Sequence, residues 1–159
     1  MITYLIDSRE QKPYSFKGCD TETVALKTGD YSIKFLDKDC SLEIAFERKE
    51  INDFVSCTYG DNRIRFLKEL ERSKDIPNFF IIIETDWEDI ERHRYVSKIN
   101  PNSVLGCIYS WQMKYNCHIL LVGNRTRGQR IIKNICDTFI RHHNTNKKKK
   151  KNKDTIELI

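Results

Sequence analysis

Residues Phe79-Phe80-Ile81-Ile82-Ile83 form an unbroken apolar run between Asn78 and Glu84. A run this short, without polar alternation, reads as a strand covered on both faces, which requires a sheet with a layer on each side. Its neighbours supply that arrangement. Residues 2–6 read as a first buried strand and Thr21 to Leu26 as a short one. A Thr28-Gly29-Asp30 turn leads into a strand at Tyr31 to Phe35, with Tyr31, Ile33 and Phe35 on one face. Leu36 to Asp39 is a hairpin loop, and Ser41 to Arg48 is the returning strand. Beyond it, Asn52-Asp53 has the composition of a helix N-cap, and Gly60-Asp61 breaks that helix from a second over about 62–73. A charged helix is expected over Trp87 to Tyr95. Pro101 opens a helix over 101–115, in which Val104, Ile108, Trp111 and Tyr115 recur at helical spacing. His118 to Val122 is a last strand and 127–142 a last helix. A meander followed by helices alternating with apolar strands predicts an α/β fold, a central mixed β-sheet flanked by helices on both faces.

The length suits one domain. After His143 the chain turns to Asn, Thr and Lys, so the domain is placed at 1–143 and residues 144–159 are expected to be a disordered, lysine-rich tail. Net charge is +5, but Lys147 to Lys151 and Lys153 carry that excess, and without them the remainder is near neutral. Any affinity of the domain for a polyanion must therefore come from local placement of charge. No stretch of 18 apolar residues is present, so no membrane span is expected. The N-terminus lacks a charged n-region and meets an acid at Asp7, which excludes a secretory signal. Six scattered cysteines form no CxxC pair and no zinc spacing, and they read as reduced, mostly buried thiols of an intracellular protein.

The chemistry is concentrated in Glu47-Arg48-Lys49-Glu50-Ile51-Asn52-Asp53. On a strand, residues i and i+2 share a face, so the Glu47 carboxylate lies beside the Lys49 ammonium while Arg48 points the other way. Asp30 arrives from the preceding strand. Two carboxylates can hold a hard cation such as Mg²⁺, with water in its other positions, and a neighbouring lysine can orient such a water. That is a minimal kit for hydrolysing a phosphodiester.

Asp30 followed by Glu47-x-Lys49 resembles the PD-(D/E)xK nucleases of the restriction-endonuclease-like fold. The longer pattern, Gly29-Asp30 and then Glu47-Arg48-Lys49-x-x-x-Asp53, matches GDxₙERKx₃D, the signature of the XPF structure-specific endonuclease family. Asp7-Ser8-Arg9-Glu10 resembles that family's Val-Asp-x-Arg-Glu opening, with Ile6 in place of Val. Arg63 stands where members carry an arginine in the helix after the motif, although Leu67 replaces the glutamine one turn later. The resemblance covers most of residues 1–143. It implies Asp30, Glu47 and Asp7 on Mg²⁺ (or Mn²⁺), with Asp7 as a ligand or an acceptor just outside. It implies Lys49 as the group that orients water or stabilises charge, and Arg48 and Asp53 as further catalytic residues. Arg9 and Arg63 would grip phosphate, steadied by Glu10 and Asp53, and Lys147, Lys148 and Lys149 would add affinity from the tail.

The function so implied is a metal-dependent DNA endonuclease acting on branched DNA (flaps, forks, junctions) in repair or recombination. It would work in the nucleus of a eukaryotic cell or host and otherwise in the cytoplasm. A homodimer through helices 101–115 and 127–142 is implied as well. The family's tandem helix-hairpin-helix module has no counterpart in these residues. The alternatives are a junction-resolvase-like or restriction-like nuclease, and a catalytically silent DNA-binding scaffold.

Overall fold

The computed structural model describes the backbone of residues 1–156 and the side chains of residues 1–146. Seven strands form one mixed sheet. In chain order they are β1 (Ile2–Asp7), β2 (Asp20–Val24), β3 (Tyr31–Phe35), β4 (Lys38–Asp39), β5 (Ile44–Glu50), β6 (Asn78–Glu84) and β7 (His118–Leu121). The spatial order is β2-β1-β3-β5-β6-β7, with the two-residue β4 on β3. β3 runs antiparallel to both β1 and β5, while β5, β6 and β7 are parallel. β1 and β5 through β7 therefore point the same way. Their carboxyl ends, and the start of β3, share one edge.

The helices are α1 (Ile51–Ser56), α2 (Gly60–Ser73), α3 (Trp87–Glu91), α4 (Pro101–Tyr115) and α5 (Arg125–Ile156). β6 shows why both sheet faces are covered. Phe79, Ile81 and Ile83 pack into one core with Phe54, Phe66 and Trp111 from α1, α2 and α4. Phe80 and Ile82 face the other core, with Tyr14, Tyr31, Phe46 and residues Ile132, Cys136 and Ile140 of α5. Period-two alternation along one apolar run thus feeds both layers. Four of the six cysteines are buried in these cores and all are free thiols.

Several local expectations are corrected. The cap of α1 is Glu50, whose side chain accepts from the Asn52 amide at 2.9 Å, rather than Asn52 or Asp53. Strand β5 runs directly into the helix, so the last strand residue takes the capping role. Gly60 opens α2 instead of separating two helices, because its φ of +60° lets the chain turn straight into it. α3 stops at Glu91, where Arg92 leaves helical geometry and His93 adopts φ +55°. α5 continues past residue 143 to Ile156; no proline or glycine interrupts residues 129–156, and lysine is a competent helix former. The side chains of Lys147, Lys148 and Lys149, expected to bind substrate, lie outside the described residues. Residues 157–159 of the expected tail lie outside them altogether.

Candidate active site

Gly29 determines how the first acid arrives. Its φ is +83°, and a Cβ built there would meet the Phe46 carbonyl oxygen at 2.8 Å. Only a residue without a side chain lets the turn lie this close to β5. The contact is used directly: the Asp30 amide donates to the Phe46 carbonyl at 2.7 Å, and the Asp7 amide donates to the Asp30 carbonyl at 2.8 Å. The Asp30 side chain then accepts from the Arg48 amide through Oδ2 at 2.8 Å. Backbone bonds thus tie Asp30 to both β1 and β5.

Glu47 and Lys49 lie on the same face of β5, with Lys49 Nζ 3.2 Å from Glu47 Oε1. The side chains are 13% and 20% exposed, so the ammonium is partly withdrawn from water and lies over the Phe66 ring, 5.1 Å from its centre. Burial, and for Glu47 the nearby Asp30 charge, push both carboxyls above the ordinary range; for Asp30, burial acts together with Glu10. Burial works against the Lys49 ammonium, yet the Glu47 charge and hydrogen bond, together with Cys57 and Glu69, raise its pKa. Lys49 is therefore a fixed positive charge in this arrangement. A cleft of about 930 Å³ opens over Asp30, Glu47 and Lys49, with Arg9, Arg48 and Asp53 on its walls.

Asp7 is brought to the same edge, but its carboxylate is saturated. Oδ1 accepts from the Arg9 amide and Nε, both at 2.8 Å; Oδ2 accepts from Arg9 Nη2 at 2.9 Å and the Leu26 amide at 2.8 Å. Burial alone would raise its pKa, but the Arg9 hydrogen bonds lower it. This geometry assigns Asp7 to holding Arg9 and leaves no lone pair directed at a cation. Arg9 is placed as expected on the cleft wall, although its partner is Asp7 rather than Glu10. Asp53 is exposed at the cleft and, among the described residues, makes no side-chain ion pair, so it steadies neither Arg9 nor Arg63.

Arg63 does not line the cleft. Its guanidinium donates to the Thr58 carbonyl at 3.2 Å and to Cys107 Sγ at 3.1 Å, and lies over Trp111. The cause is the phase of α2. Its buried face runs through Phe66, Leu70 and Ser73, while Ile64 is 56% exposed. That rotation puts Arg65, with Asn62 and Glu69, on the cleft instead. Arg65 and Glu69 stand four apart, one turn of helix, on either side of Phe66. Taking Phe66 and Leu70, one turn apart, as the centre of the core stripe is the signal that would have found them. Arg48 leaves the Glu47 face, as alternation requires, and pairs with Glu84 and Glu10. Trp111 and Tyr115 of α4 are buried in the core.

Among the described residues, no three His, Cys, Asp or Glu side chains converge with metal-binding geometry. Among these residues, too, no helix is long and apolar enough to cross a membrane.

The comparisons bear on the fold and the family. The family model described as the ERCC4 domain matches residues 6–135. The fold is similar to "XPF from Aeropyrum pernix", at TM-score 0.67 and 20% identity over 86% of this chain and 60% of that one. The structure titled "XPF from Aeropyrum pernix, complex with DNA" is similar at TM-score 0.66 and 19% identity, over 89% of this chain and 66% of that one. The chain thus spans less than two thirds of either structure. No curated protein sequence matches it. With the Gly29-Asp30 turn docked on the Glu47-Arg48-Lys49 strand and the family model spanning nearly the whole described domain, the chain belongs to the ERCC4-domain family of XPF-type nuclease domains.

Proposed function

We propose that this domain hydrolyses phosphodiester bonds of branched DNA with the help of a divalent cation. The observation that carries the reading is the Asp30–Glu47 pair at an open cleft, with the Lys49 ammonium 3.2 Å from Glu47. Two like charges pressed together by burial suit a small hard cation, since Mg²⁺ takes one or two carboxylates and keeps several waters. Asp30 and Glu47 would hold that ion, and Mn²⁺ would serve equally. When bound, such an ion polarises a phosphoryl oxygen and lowers the pKa of water.

The remaining chemistry is the protein's own. Asp30 enters preoriented, because the Arg48 amide fixes one of its oxygens. Lys49 carries a permanent charge to the place where negative charge develops on the phosphate. Arg9 is held by Asp7 through Nε and Nη2, which leaves Nη1 to meet a phosphate oxygen. Arg65 extends that grip from α2. The A. pernix structure bound to DNA supports DNA as the partner. A homodimer through α4 and α5 belongs to this reading; Tyr109 and Met113 are the exposed apolar side chains that α4 offers to it. An intracellular site of action, nuclear in a eukaryotic setting, follows from the substrate.

Labelled flap, fork and four-way DNA, incubated with and without divalent ions, test the reading. Cutting is expected with Mg²⁺ or Mn²⁺ and none in chelator. Binding without cutting under every condition would instead identify a scaffold. The tail is tested in the same assay. Removing residues 144–159 deletes six lysines, so affinity is expected to fall and the log–log salt slope to flatten by up to about 5, with the cut position unchanged. Equal affinity at low and high salt would show that the tail makes no phosphate contacts.

A further inference from the structure

Arg48 lands in a second, buried charge cluster on the α5 side of the sheet. It pairs with Ile82 across the parallel β5–β6 ladder, and Glu84 lies two residues further on, on the same face. Arg48 Nε is 2.6 Å from Glu84 Oε1, and Nη1 is 3.8 Å from Glu10 Oε2. The three side chains are only 13%, 9% and 9% exposed. The guanidinium carbon is 5.5 Å from the centre of the Tyr14 ring. Despite the short separation, Arg48 Nε and Glu84 Oε1 lack hydrogen-bond geometry with any described group. The contact is therefore one of charge and confinement.

Such a cluster is a poor stabiliser. Desolvating two carboxylates and one guanidinium offsets most of their attraction, and apolar replacements of buried pairs are often neutral or stabilising. Its placement suggests another purpose. Arg48 is also among the residues that line the cleft. Its own amide holds the Asp30 carboxylate.

We propose that Glu84, assisted by Glu10, is a positioning residue for cleavage: it holds the Arg48 guanidinium so that its free N–H edge faces the phosphate in the cleft. This rests on the nuclease reading above. Glu84 touches neither substrate nor cation and acts through Arg48.

Glu84→Gln tests the idea in the full chain, since it keeps the shape and removes the charge. The turnover number kcat is expected to fall about 10- to 100-fold, the range a misplaced group produces, with KM and DNA affinity within about threefold. In an Arg48→Met background, the same change is expected to cost nothing further, because the group it positions is gone. Glu10→Gln, at the longer separation, is expected to shift kcat in the same direction by less. It serves as the readout if Glu84→Gln melts below the assay temperature.

Wild-type kcat in a folded Glu84→Gln protein would overturn the proposal. So would a full multiplicative loss in the Arg48→Met background, which is what a purely structural role gives. A wild-type protein that cuts no member of the DNA panel overturns the nuclease reading and this inference together. A wild type that cuts beside an unimpaired Glu84→Gln overturns only the inference.

Discussion

Replacing Asp30 by asparagine is expected to reduce cleavage by about 10³-fold or more while DNA affinity stays within a few-fold. The fold has reason to tolerate the change, because the Asn side-chain carbonyl can still accept from the Arg48 amide that now holds Oδ2 at 2.8 Å. What is lost is one of two anionic donors, and charge stabilisation by a bound ion is a matter of several kcal/mol. At about 1.4 kcal/mol per factor of ten, the expected loss follows. Affinity is spared because the change removes a negative charge facing phosphate and leaves Arg9, Lys49 and Arg65 in place. Melting curves give an independent check. Divalent ions are expected to raise the melting temperature of the wild type in chelator-treated buffer and not that of Asp30→Asn. Retained cutting by a nuclease-free preparation of the variant would remove Asp30 from the site.

Gly29→Ala is the second large effect, and it contains no charge at all. The φ of +83° is unfavourable for alanine, and the new Cβ would sit 2.8 Å from the Phe46 carbonyl oxygen, which is backbone and cannot rotate away. A stability loss of about 2–3 kcal/mol is expected, seen as a drop in melting temperature of about 5–10 °C. The turn must also back off from β5, which lengthens the 2.7 Å bond from the Asp30 amide to the Phe46 carbonyl and moves the carboxylate. Cleavage measured well below the melting transition is therefore expected to fall about 10- to 100-fold. A variant that loses stability but cuts at the wild-type rate would show that the turn does not set the acid's position.

These two residues show what was legible. Gly29-Asp30 could be read as a turn delivering an acid, and Glu47-x-Lys49 as a pair on one face. Alternation also sent Arg48 to the opposite side, where it is found. The tight docking of Gly29 on Phe46 was not legible, since Phe46 is distant in sequence. Arg63 was placed from the family resemblance alone, which does not fix the phase of α2. The contact of Phe66 with Trp111, ring centres 5.5 Å apart, sets that phase and turns Arg63 away from the cleft. Asp7 reads as an acid at the site, but four donors from Arg9 and Leu26 occupy it, and the Leu26 amide reaches it from nineteen positions away.

The amino-acid order alone determined the layered α/β architecture, the shared face of Glu47 and Lys49 and the family, because periodicity and motif spacing are local properties of a chain. Only the folded structure decided which side of α2 meets the cleft, that Asp7 serves Arg9, and that Glu84 and Glu10 enclose Arg48. Each of those outcomes depends on which distant groups compete for the same volume or lone pair, and that competition exists only once the strands and helices have been brought together.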